Sequence, residues 1–168
     1  MAQDAIDDIR AYYKTIGEQI NACKKEGNGE NCALYSNLSI TNTGGQTWRA
    51  SGNYKKEVQF WYDDSPRLCD ECGEGGINVL KKVICSEQSG LTTSYKEWLF
   101  KDGKLIFYYI KSSGEQNEEY RYYYQNDVLI KHIESGNTMN GDDAAKKYKE
   151  FILQKAKNLQ QQFLLGFK

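Results

Sequence analysis

One proline, one histidine and two methionines stand among 168 residues, and neither sign of charge is in excess. So little proline argues against a linker-rich or disordered chain. With a single histidine, imidazole acid–base catalysis runs through His132 or not at all. Lys and Arg number 22 against 23 Asp and Glu, a formal net charge of -1, which supplies none of the basic footprint that nucleic-acid binding draws on. Apolar runs are too short for a membrane-spanning helix, and the amino terminus carries no apolar signal region. Also missing are the G-x-S-x-G elbow, H-E-x-x-H, a Walker-type loop and the dinucleotide glycine fingerprint. Gly44-Gly45 and the glycines between 73 and 76 are not followed by helical patterns, so they do not cradle a phosphate in the usual way. These absences favour a chain without cofactor or resident metal, and one that is not an enzyme.

What is abundant is aromatic. Thirteen Tyr, six Phe and three Trp favour sheet. A duplicated hairpin organises the second half: Trp98-Leu99-Phe100-Lys101-Asp102-Gly103-Lys104-Leu105-Ile106 recurs 24 residues on as Tyr122-Tyr123-Tyr124-Gln125-Asn126-Asp127-Val128-Leu129-Ile130. Asp102-Gly103 is a strong two-residue turn signal, and Asn126-Asp127 occupies the same place in the second copy. The run Gln59-Phe60-Trp61-Tyr62-Asp63-Asp64 resembles the first half of that unit, with its turn expanded to hold a C-x-x-C. Strands are predicted over 32–41, 53–62, 77–87, 92–101, 104–111, 119–125 and 128–134. With two-residue turns, Trp98 faces Phe107, Phe100 faces Leu105, Tyr124 faces Leu129 and Tyr120 faces Ile133, all on the core face. In that register His132 lies opposite Arg121 on the more polar face.

Helices close both ends. Ile6, Ile9, Tyr13, Ile16, Ile20 and Cys23 recur at helical spacing, and Tyr148, Ile152, Leu159 and Phe163 form a second stripe that ends near Gly166. The expected fold is one α+β domain over 1–168, a single antiparallel meander of about six or seven strands with the N- and C-terminal helices packed on one face. The other face is then open to water, wholly or in part. Two helices cannot cover both faces of so aromatic a sheet on this reading, so Trp61, Tyr95, Tyr108 and Tyr123 are candidates for an exposed binding platform. Such rings suit an unidentified protein, peptide or carbohydrate ligand, or a homodimer. The platform requires Trp61, Tyr108 and Tyr123 to be exposed on one patch.

Five cysteines carry the remaining chemistry. Cys69 and Cys72 form C-D-E-C in an acidic loop over 63–76, Cys85 follows, and Cys23 and Cys32 bracket a polar turn. Redox use of Cys69/Cys72 is disfavoured by the carboxylates of Asp63, Asp64, Asp70, Glu71 and Glu74, which raise a thiol pKa. Structural zinc finds three ligands in Cys69, Cys72 and Cys85 but no second C-x-x-C. Disulfides are favoured: Cys23 to Cys32, with Cys69 or Cys72 bridged to Cys85 or to each other. Persisting disulfides imply an oxidising compartment. The start Met1-Ala2-Gln3-Asp4 suits a mature exported chain re-initiated with methionine.

Taken with the 95–110 and 119–134 hairpins, the Ile9–Tyr13 helix segment and the Ser51–Tyr62 strand resemble a broad class of exported, single-domain α+β proteins of gut Bacteroidetes envelopes. The resemblance implies a periplasmic, outer-envelope or secreted location and no particular activity. The expected role is a non-catalytic envelope or secreted protein that binds a ligand or partner through the aromatic face or the 63–76 loop. The alternatives are a small redox or metal-binding protein acting through Cys69/Cys72, and a purely structural homodimer.

Overall fold

Hydrophobic spacing and paired positive-φ turns decide the element order. The computed structural model describes residues 2–25, 32–49, 52–64, 76–114, 117–135, 137–139 and 143–167. Helix α1 runs Ala2–Lys25, followed by β1 (Tyr35–Thr41), β2 (Thr47–Trp48), β3 (Gly52–Tyr62), β4 (Leu80–Ser89), β5 (Thr92–Lys101), β6 (Lys104–Ser113), β7 (Glu118–Gln125), β8 (Val128–Glu134) and β9 (Asn137–Met139). Helix α2 runs Asp143–Leu165. The sheet is an antiparallel meander in the order β1-β3-β4-β5-β6-β7-β8-β9, with β2 appended to β3. The α+β meander with a helix near each terminus is therefore the architecture. The two- and three-residue strands β2 and β9 were too short for the alternation to reveal.

Both tight turns have positive φ at each central residue: 51° and 73° at Asp102 and Gly103, 50° and 62° at Asn126 and Asp127. That is the condition for a type I′ turn, whose twist matches a hairpin's. Just beyond each turn the pairing slips by one residue. Phe100 pairs with Leu105 but Leu99 with Phe107, so Ile106 is extra. Tyr124 pairs with Leu129 but Tyr123 with Lys131, so Ile130 is extra. The first hairpin repeats the slip: Tyr62 pairs with Leu80 but Trp61 with Lys82, leaving Lys81 over. Three hairpins thus share one bulge at one place, which supports the reading of a threefold unit.

The bulge reassigns faces, because one inserted residue turns every later side chain over. The predicted pairs Phe100–Leu105 and Tyr124–Leu129 form. Trp98 instead faces Tyr108 and Tyr120 faces Glu134. His132 lies opposite Tyr122 rather than Arg121.

The helices lie on opposite faces of the sheet, which corrects the expectation that both pack on one. Ile6, Ile9, Ile16 and Ile20 of α1 bury against Trp61, Leu99, Phe107, Tyr123 and Ile133. Ile152, Ala156, Leu159 and Phe163 of α2 bury against Phe60, Tyr62, Phe100, Leu105, Tyr108, Tyr122 and Tyr124. Successive strand residues such as Phe60 and Trp61 therefore both find a core, each under its own helix. The physical reason is compositional: bulged aromatic strands present apolar rings both ways, and each face needs its own cover. Tyr148, placed on the apolar stripe by its spacing, is exposed.

A candidate ligand cavity under the C-terminal helix

The four proposed platform residues do not form a platform. Trp61, Tyr108 and Tyr123 are only 3%, 6% and 4% exposed, and Tyr95 reaches 36%. Trp61 and Tyr123 belong to the α1 side and Tyr108 to the α2 side. An open aromatic face is thereby overturned. Among the cavities of the described residues, one on each face carries buried polar groups, and those groups distinguish the two.

On the α1 side a cavity of about 300 Å³ is lined by Arg10, Tyr13, Tyr95, Glu97, Arg121 and Tyr123, among others. Its one carboxylate is partnered from several sides. Buried Glu97 accepts from the Tyr13 hydroxyl at 2.6 Å and the Tyr95 hydroxyl at 2.5 Å, and pairs with buried Lys82 at 3.0 Å. The Lys82 ammonium also lies 4.2 Å from the centre of the Tyr13 ring. Burial, partly offset by Glu97, lowers the Lys82 pKa, and burial pushes those of Tyr13 and Tyr95 up. Here a buried charge is held by complete pairing, the condition under which burial is tolerated.

On the α2 side lies a larger cavity of about 570 Å³, within the range of small-molecule sites. Ladder register builds its floor. Trp98 pairs with Tyr108, Tyr108 with Tyr122 and Tyr122 with His132, four neighbours across β5 to β8. Ring centres are 5.0 Å apart for Trp98–Tyr108, 5.8 Å for Tyr108–Tyr122 and 4.4 Å for Tyr122–His132, the last pair stacked at 15°. The next row outward, Cys85, Lys96, Ile110, Tyr120 and Glu134, is equally continuous in pairing. Helix α2 supplies the roof through Tyr148, Phe151, Ile152 and Lys155.

This cavity leaves polar atoms unanswered. The Trp98 indole N–H and both His132 ring nitrogens are buried without a hydrogen-bond partner among the described residues. Such groups are uncommon in folded proteins and each costs about 1–3 kcal/mol. Trp98 is 3% exposed, so bulk water does not serve it. Burial lowers the His132 pKa against an opposing pull from Glu134, which keeps the imidazole neutral near pH 7. Tyr120 is pushed up to about 12, first by burial and then by Glu118 and Glu134.

Cys23 and Cys32 are joined, with S–S at 1.99 Å, tying the end of α1 to the approach of β1. Cys85 is a buried free thiol, so the bridge expected from Cys69 or Cys72 to Cys85 is not made. Burial pushes its pKa up despite Lys56, Lys96 and Lys155, which makes it a poor nucleophile. Cys69 and Cys72, and most of the 63–76 loop, lie outside the described residues.

Of the platform residues only Tyr108 lines the α2-side cavity. His132 was placed on the wrong face because the bulge at Ile130 is invisible to strict alternation, whereas Tyr120 and Tyr122 were on the right face and read only as core. The repeat was the available signal: if Ile106 is extra, its counterpart Ile130 is too. No helix among the described residues is long and apolar enough to cross a membrane. No protein-family model, curated protein or solved structure matches this chain.

Proposed function

We propose that the protein is a non-catalytic binding module that holds a small ligand with an aromatic or apolar body between α2 and the sheet. The observation that carries this is the pairing of an aromatic floor with buried unpartnered polar atoms in one cavity. The Trp61 indole N–H on the α1 side is also without a partner among the described residues, so what marks the α2 side is that its unpartnered Trp98 and His132 atoms belong to residues lining one large cavity. Binding is favoured over reaction because His132 has no hydrogen-bonded carboxylate to orient it and the Cys85 thiol is held protonated. The test is titration with the neutral fluorophore N-phenyl-1-naphthylamine. The native protein enhances its emission saturably, and I110W, which fills the cavity from β6, abolishes that while L38W on β1 does not. Unchanged enhancement in folded I110W, or none in the native protein, contradicts the reading.

We further propose that the protein works in an oxidising compartment, in the periplasm, on the envelope or outside the cell. The Cys23–Cys32 bond supports this, since such bonds persist where thiols are not kept reduced. A bridge across nine residues stabilises by about 2–3 kcal/mol in the chain-entropy account. Protein acid-trapped from its own cells, denatured and alkylated, is expected to react at Cys85 at once and at Cys23 and Cys32 only after reduction. Reaction at all three before reduction would place it in a reducing compartment.

A further inference from the structure

The α2-side cavity is electrically polarised along the sheet, and the polarity specifies a ligand. At its β3–β5 end stand Lys56, Lys96 and Lys155 around Cys85, with Glu87 as their one lining carboxylate. Glu87 is engaged by Lys96 at 2.9 Å. Lys56 and Lys155 have no ion-pair partner within 4.0 Å among the described residues, so this end carries a cationic surplus. At the β7–β8 end stand Glu118 and Glu134, flanking Tyr120 and hydrogen-bonded by it, with no lysine or arginine among the described residues lining the cavity beside them. Between the ends run Trp98, Tyr108, Ile110, Tyr122 and His132, uncharged and mostly aromatic.

Register sets the distance. Cys85, Lys96, Ile110 and Tyr120 are successive partners, so the middles of the two ends, at Cys85 among the lysines and Tyr120 beside the glutamates, are three strand spacings apart, about 14 Å at ~4.8 Å each. Allowing about 3 Å for a charge-assisted contact at each end leaves roughly 8–10 Å between the ligand's own charges. An amino acid is too short, because its ammonium and carboxylate leave the same carbon. An extended chain advances about 3.4 Å per residue, so three residues span about 10 Å.

Resting on the ligand-binding reading above, we infer that the cavity takes a short linear peptide of about three residues with both termini free and an aromatic or apolar middle residue. Its carboxylate lies toward Lys56 and Lys155, its ammonium toward Glu118 and Glu134, and its central side chain on the Tyr108–Tyr122–His132 floor. The Trp98 N–H and the His132 ring offer hydrogen bonds to a backbone that brings both donors and acceptors. A neutral hydrocarbon would use the floor and leave both charged ends and these atoms unanswered.

The experiment is calorimetric titration with Gly-Phe-Gly, its N-acetyl form, its C-amide and the doubly capped peptide. Each cap is expected to weaken binding about tenfold or more. In E134Q the N-acetyl cap costs much less while the amide cap costs as before; in K155M the pattern reverses. Circular dichroism confirms that both variants fold. If the capped peptides bind as well as the free one, or none binds while N-phenyl-1-naphthylamine does, the peptide inference is overturned and the ligand-binding reading stands. If neither peptide nor naphthylamine binds, the ligand-binding reading itself fails.

Discussion

His132 stacks on Tyr122, with Tyr120 on the same side of the sheet, and neither of its nitrogens is answered among the described residues. Its folded-state pKa is depressed, chiefly by burial. The unfolded chain therefore binds the proton more readily, and stability is lost as pH falls through 6.5 toward the folded value. Chemical denaturation of native protein and H132F at pH 7.5 and pH 5 reads this out. The native protein is expected to lose more stability than the variant over that interval; equal losses would mean that the imidazole protonates freely in the fold. From sequence, His132 stood out only by being alone. Its surroundings depend on the bulge at Ile130, two residues before it.

At the scale of elements, the hairpin unit explains both what was legible and what was not. Strands 92–101 and 128–134 and the turns 102–103 and 126–127 follow from alternation and turn chemistry, and they form as expected. The bulges at Lys81, Ile106 and Ile130 do not follow, since nothing in an apolar run marks which residue is extra. From the bulges at Ile106 and Ile130 came the exchanged faces of Tyr108 and His132, while Trp98 kept its face and changed its partner. Gly103 concentrates the unit's demands. Its φ is +73°, and a Cβ there would come within 2.6 Å of Asn78 Oδ1 and 3.2 Å of Ile77 Cγ1. Its carbonyl also accepts from Gln160 of α2 at 2.7 Å, fastening the helix to the turn. G103A is expected to destabilise by about 1–3 kcal/mol, from left-handed backbone cost and crowding together. Urea midpoints check this, and a loss below the error of the measurement would show that the turn yields without cost.

For the whole molecule, the governing fact is that one sheet serves two cores. The sequence placed helices at both ends but could not say which side each would take, because helix stripes and strand alternation are both silent on the handedness of a long connection. Once α1 and α2 separate, the surplus of aromatics needs no open platform. On the α1 side Tyr13, Tyr95 and Lys82 close on Glu97, and the unpartnered Trp61 indole lies outside that cavity's lining; on the α2 side the unpartnered Trp98 and His132 line the cavity themselves. That contrast is the central claim, and the three tryptophans report on it directly. Trp98 lines the α2-side cavity, Trp61 is buried without a partner on the α1 side, and Trp48 is exposed. In a ¹⁵N correlation spectrum each contributes one indole N–H signal, assigned through single Trp→Phe variants. Titration with N-phenyl-1-naphthylamine is predicted to move the Trp98 signal saturably and leave those of Trp61 and Trp48 in place. A stationary Trp98 signal at saturating probe, or equal movement of Trp61, would contradict the account.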